Sequence, residues 1–247
     1  MYHINNETTK DHIIDLLRIW GITVDAKSGK ILGYTEPARE VKCQSLYLLR
    51  HAETYGTREK KFMSDESSNS ILTRDGIKDA RLVADRIGMM RFDYILYSSI
   101  ARVKQTAEIV QQQMNYSGCC IELPWMKGID NAGWEGKTAV ELKEEDQEDF
   151  YQREILHNIF AKSSRGCSWG EVFLRCIDLI EFLNHNCTNK RVLLVSQGSI
   201  LIGIKTILQL EDEPWKGYDV ESFFGLVNNK TNNYGKLTHI VGEKIEI

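Results

Sequence analysis

Three apolar runs constrain this chain more than anything else in it: LYLL at 46–49, FDYILY at 92–97 and RVLLV at 191–195. None alternates apolar with polar residues, so each predicts a strand buried on both faces. Between and around them lie helical patterns near 74–88, 101–114, 138–160 and 169–185. In the first, Ile77, Ala80, Ala84 and Ile87 share a face; in the second, Val103, Ala107 and Val110 do. Buried strands separated by amphipathic helices predict an α/β fold of three layers, α/β/α, with a mostly parallel sheet covered on both faces. Such sheets bind ligands beyond the carboxyl ends of their strands.

The residues just past the first and last runs therefore occupy the edge where a ligand would bind. LYLL runs into Arg50 and His51, with Glu53, Thr54 and Lys61 close behind, and RVLLV runs into Ser196, Gln197 and Gly198. A lone histidine after a strand is ordinarily a hydrogen-bonded loop residue, but anion-binding groups on both sides give this one a chemical context. A neutral imidazole attacks phosphorus well when one nitrogen is fixed by a hydrogen bond and the other directs its lone pair at the substrate. Guanidinium groups supply the planar fork that neutralises non-bridging phosphate oxygens.

Ahead of the first strand, residues 9–20 place Ile13, Leu16, Leu17 and Trp20 at helical spacing and stop at Gly21. Two β-prone arms around Lys27, Ser28 and Gly29 come next, which predicts a hairpin. The expected division is an N-terminal extension over 1–44 and a main domain over 45–247. The face of Ile13, Leu17 and Trp20 packs on that main domain or on a second subunit, the latter giving a homodimer. A net charge of −4 gives no reason to expect nucleic acid or an anionic membrane as partner, so an anionic substrate needs a local Arg and Lys cluster. The six cysteines form neither paired CxxC motifs nor a zinc pattern with histidine. They predict free thiols in a reducing compartment, and with no leader-like or membrane-spanning run, a cytoplasmic location is expected.

LLRHAET, residues 48–54, resembles the Arg-His-Gly-Glu or Ala-Glu-Thr signature of the histidine phosphatase superfamily, the phosphoglycerate mutase-like family. The resemblance continues in order: LTRDGIKDARLVADRI with the family's Leu-Thr-x-x-Gly helix, and FDYILYSSIARVKQTAEIV with its Ser-Ser turn and Arg-x-x-x-Thr-Ala helix. IDNAGWEGKT is similar to its Trp-Glu-Gly segment and LLVSQGSI to its Val-Ser-His-Gly strand end, so the likeness spans roughly residues 45–205. It implies a phosphoglycerate mutase-like fold and a phosphatase of a small phosphorylated metabolite. His51 would be phosphorylated, Arg50 and Arg102 would clamp the phosphoryl group, and Glu53 would orient the site. Thr57 and Lys61 stand where the family places further phosphate-binding residues. No metal or other cofactor is implied, because Arg and His carry the positive charge.

Two positions depart from that pattern. The family's second histidine is Gln197 here, which can donate to an oxygen but cannot become cationic. The family's usual acid, a Glu six residues before the Trp of Trp-Glu-Gly, is Gly128, with Asp130 the nearest carboxyl to replace it and Glu135 the next. The Gly-Gly-Glu-Ser element reads loosely as Arg165-Gly166-Cys167-Ser168. A leaving group of low basicity, such as an acyl phosphate or a second phosphate, needs less help from an acid. Three readings stay open: a phosphatase, or mutase, with an altered site; a protein that binds a phosphorylated ligand without turnover; and a Gln197 introduced on purpose, against which the second departure at Gly128 counts. Specificity is expected from residues 1–44 and from the stretch after Trp134, whose EEDQED reads as a solvated helix face.

Overall fold

Successive residues of a strand point to opposite faces, and this chain uses both. A computed structural model describes residues 8–35, 40–63, 70–209 and the strand 237–241. Helix α1 (Lys10–Ile19) and a hairpin of β1 (Ile22–Val24) and β2 (Ile31–Tyr34) come first, then β3 (Ser45–Arg50), the single turn α2 (Tyr55–Arg58) and α3 (Arg74–Ile87). Next come β4 (Tyr94–Ser98), α4 (Ala101–Gln113), β5 (Cys119–Leu123), α5 (Ala139–Glu145) and α6 (Gln147–Phe150). The chain continues through α7 (Trp169–Asn186), β6 (Arg191–Ser196), α8 (Gly198–Ile207) and β7 (Leu237–Val241). The stretches 1–7, 36–39, 64–69, 210–236 and 242–247 of the expected extension and main domain lie outside the described residues.

The main sheet runs β5-β4-β6-β3-β7, parallel except for β7, which is antiparallel to β3. Leu46 and Leu48 of β3 join one buried cluster with α7, α8, Val192 and Leu194, while Tyr47 and Leu49 join another with α3, α4, Leu193 and Val195. This is the expected three-layer α/β/α arrangement. The three expected core strands are β3, β4 and β6. The two outer strands, β5 and β7, escaped the sequence. In β5 the run is short and carries Glu122, whose carboxylate pairs with Lys104 at 3.0 Å, as a half-buried edge allows.

The described part of the N-terminal segment packs into the core. Ile13, Leu16, Leu17, Trp20, Ile22 and Ile31 belong to the same cluster as the α7 and α8 face of the sheet. Gly170 at the start of α7 leaves room for the Ile13 side chain, and Gln209 Nε2 donates to the Trp20 carbonyl at 3.2 Å.

The helix expected over 138–160 is broken. A capping box of Thr138 and Glu141 starts α5, but Asp146 adopts φ −138 and ψ 50 and separates α5 from α6. Its carboxylate accepts the Trp134 indole N–H at 2.6 Å, so the break brings it onto a fully buried ring. A π-type turn over Tyr151–Ile155 then places Arg153 in the interior. All six cysteines are free thiols. Among the described residues, no helix is long and apolar enough to cross a membrane.

Candidate active site

Parallel pairing places Arg50 opposite Ser196, and the ladder runs one step further because His51 N–H donates to the Ser196 carbonyl at 3.0 Å. His51 and Gln197 are thus the next pair along neighbouring strands, about 4.8 Å apart at the backbone. Both are buried, at 3% exposure each. Helix α8 starts directly after Gln197 and α4 shortly after β4, so two helix N-termini bring partial positive charge to the same sheet edge.

His51 has a defined tautomer. Its Nδ1 lies 2.8 Å from the Ala52 carbonyl, and a carbonyl only accepts, so Nδ1 carries the proton and the ring's lone pair is on Nε2. Burial holds the imidazole pKa well below its ordinary value, and the charges of Arg102 and then Arg50 lower it further, against a smaller opposing effect of the Ala52 carbonyl. The ring is therefore neutral at physiological pH. That is the form that can act as a nucleophile.

Arg102 sits in the first turn of α4, 7% exposed, and its Nη1 donates to Ser70 Oγ at 2.6 Å. Four residues on, Thr106 Oγ1 donates to the Arg102 carbonyl at 2.7 Å and accepts from Ala52 N–H at 3.0 Å. The Arg-x-x-x-Thr spacing thus ties α4 to the His51 loop. Arg50 lies over Gly198: a Cβ there would stand 3.3 Å from its Cζ and Nε, so glycine permits the close approach. Gln197 accepts from Ser196 Oγ at 3.1 Å through Oε1, while its buried Nε2 has no hydrogen-bond partner among the described residues.

The other expected residues have defined partners of their own. Glu53 accepts from Arg58 Nε and Nη2 at 2.9 and 2.5 Å and from Thr73 Oγ1 at 2.7 Å, which fastens the His51 loop to the start of α3. Arg58 Nη2 also meets Asp75 at 2.8 Å. The Glu53 backbone packs so closely on Gly76 that no Cβ fits there, the physical reason for glycine in Leu-Thr-x-x-Gly. Thr57 Oγ1 donates to the Thr54 carbonyl at 2.9 Å and accepts from Thr54 N–H at 2.8 Å, closing its own turn. Lys61 pairs with Glu59 at 2.7 Å. Asp130 Oδ1 accepts from Ala132 N–H at 3.0 Å, and Glu135 follows the buried Trp134. Ser168 of the loosely matched 165–168 element caps α7 in a capping box with Glu171.

Sequence reasoning missed Ser70 as a partner of Arg102 and Thr106 as a partner of the His51 loop. Thr106 belongs to the Arg-x-x-x-Thr-Ala pattern, and its i, i+4 spacing from Arg102 was the available signal. A buried network around Trp134 was missed as well. Arg153 stacks on Trp134 with its Cζ 3.9 Å from the ring centroid, and donates to Glu154 Oε1 at 2.6 Å and Asn131 Oδ1 at 2.8 Å. Asn131 Nδ2 donates in turn to the Met63 carbonyl at 3.2 Å.

A neutral buried histidine near two guanidiniums at the carboxyl edge of a parallel sheet is an arrangement suited to an anionic group. The sequence profile of the histidine phosphatase superfamily, branch 1, matches residues 46–222, and the chain belongs to that family. It is 29% identical over 167 residues to the Escherichia coli protein described as probable phosphoglycerate mutase GpmB, spanning 67% of this chain and 75% of that one. Among solved structures it is similar to Bacillus stearothermophilus YhfR, with a TM-score of 0.61 at 25% identity over 70% of this chain and 84% of that one. The fold is shared with the alpha-ribazole phosphatase of Shigella flexneri, at a TM-score of 0.61 and 20% identity, covering 79% of this chain and 89% of that one. It is also shared with the phosphoserine phosphatase of Entamoeba histolytica, at a TM-score of 0.60 and 24% identity with the same coverage of 79% and 89%.

Proposed function

We propose that this protein is a phosphatase of a small phosphorylated metabolite, working through a phosphohistidine on His51. The observation that carries the reading is the state of that ring: buried, neutral, with Nδ1–H held by the Ala52 carbonyl and Nε2 as the basic nitrogen, beside Arg50 and Arg102. Nε2 attacks phosphorus while the arginines neutralise the non-bridging oxygens. Gln197 Nε2, buried and lacking a partner among the described residues, donates to the phosphoryl group in place of a second histidine. Water then cleaves the phosphorus–nitrogen bond and restores the imidazole. Capture of the same phosphoryl group by a substrate hydroxyl would make the enzyme a mutase, the activity in the name given to the Escherichia coli relative.

The test is rapid acid-free quenching during turnover of a panel of phosphate esters, acyl phosphates and phosphoanhydrides, followed by mapping of acid-labile phosphate. Label on His51, lost in His51→Asn, is expected. Gln197→His should raise turnover by roughly ten- to a hundredfold, the value of about 1.5–3 kcal/mol for a charged donor over a neutral one. The second reading, binding without turnover, is favoured by the neutral amide at Gln197. It predicts that phosphate raises the melting temperature, that His51→Ala keeps that effect, and that neither label nor released phosphate appears.

A further inference from the structure

Gly128 and Gln197 touch, and their contact decides which leaving groups the site can serve. A Cβ at Gly128 would stand 2.6 Å from Ser199 Oγ and 3.2 and 3.3 Å from Gln197 Cβ and Cδ. Neither wall is loose. Ser199 Oγ is held by the Ile129 N–H at 2.9 Å. Arg175 Nη1 donates to the carbonyls of Lys127 at 3.1 Å and Gly128 at 2.8 Å, and Asp130 N–H donates to Cys167 Sγ at 3.0 Å. The space beside Gln197 is therefore closed to a side chain at position 128. Its borders are a carboxamide, a serine hydroxyl that already accepts a hydrogen bond, and backbone.

Two carboxylates near the site in sequence already accept hydrogen bonds. Asp130 Oδ1 is turned back onto the Ala132 amide, and Glu53 Oε1 is shared by Arg58 and Thr73. Guanidinium keeps its proton at any physiological pH and a carboxamide has none to give. His51 is the nucleophile, so its own proton is spent on the Ala52 carbonyl. The groups gathered here neutralise a phosphoryl group well and protonate a departing oxygen poorly.

We infer that the site takes phosphoryl groups carried on oxygens of low basicity, the acyl phosphates and phosphoanhydrides, in preference to alkyl esters. This rests on the phosphatase reading above and specifies its substrate class. In the first step the His51 Nε2 lone pair forms a bond to phosphorus and the phosphorus–oxygen bond breaks. Its electron pair leaves with the oxygen as a carboxylate or phosphate anion, without a proton. In the second, water attacks phosphorus, the phosphorus–nitrogen electrons return to Nε2, and both water protons leave with the product as dihydrogen phosphate. No acid is consumed in either step.

The experiment uses the full chain and five kinds of substrate: acetyl phosphate, pyrophosphate, aryl phosphates of graded phenol acidity, O-phosphoserine and 3-phosphoglycerate. A general acid contributes on the order of 10²- to 10⁴-fold. We expect kcat/KM for acetyl phosphate or pyrophosphate to exceed that for the two alkyl esters by about that factor. The aryl series should fall steadily as the phenol becomes more basic. Acetyl phosphate against pyrophosphate tells a carboxylate leaving group from a phosphate. Equal rates on alkyl and acyl substrates with a flat aryl series would overturn the inference and leave the phosphatase reading standing. Absence of labelled His51 with every substrate would sink that reading and this inference together.

Discussion

At the scale of single residues, the state of His51 governs both chemistry and stability. Its pKa is pushed down in the folded protein, so below about pH 6.5 the unfolded chain binds a proton that the native state resists. Stability from this group is therefore intact above the unfolded value and falls as the pH drops through it, by up to about 1.4 kcal/mol per unit. Urea unfolding at pH 7.5 and 5.5 should show a larger loss in the wild type than in His51→Asn; equal losses would refute the account. The neighbours Arg50 and His51 were legible because strand ends in parallel sheets are where ligands bind. The partners of Thr57 and Lys61 were not, since hydrogen bonds within one turn and a pairing with Glu59 depend on rotamers the sequence does not show.

At the scale of elements, the stretch after Trp134 shows where periodicity misleads. Its helical pattern is real, yet Asp146 leaves the helix to reach the Trp134 indole and a π-type turn buries Arg153 beside Glu154. A tertiary hydrogen bond overrode local propensity, and only the fold reveals it. Both charged groups are nearly inaccessible, at 1% and 4% exposure. Removing one partner strands the other, so Arg153→Met should destabilise by about 3–5 kcal/mol, while the double change with Glu154→Gln should recover much of it. Chemical denaturation of Arg153→Met, Glu154→Gln and the double variant measures this; additive losses would show that the pair is not coupled.

Across the whole molecule, the layering was readable because buried parallel strands and amphipathic helices leave distinct patterns. The union of the helix and hairpin over residues 10–34 with the main core was less so. An amphipathic face at Ile13, Leu17 and Trp20 states that something covers it, and the structure supplies the cover from α7, α8 and the sheet. Leu17 is fully buried, so Leu17→Ala should cost about 2–5 kcal/mol and lower the melting temperature of the entire protein in one transition. A separate early transition, with the rest melting unchanged, would show that the N-terminal segment is an independent unit.

The bridge from Ala52 N–H through Thr106 Oγ1 to the Arg102 carbonyl has a mechanical meaning. Arg102 and the loop of His51 are mounted on one short truss, so a displacement of α4 carries that loop with it. The spacing between the His51 ring and the Arg102 guanidinium, which the proposed mechanism needs, is then set by the scaffold before any ligand arrives. Binding energy need not be spent on assembling them.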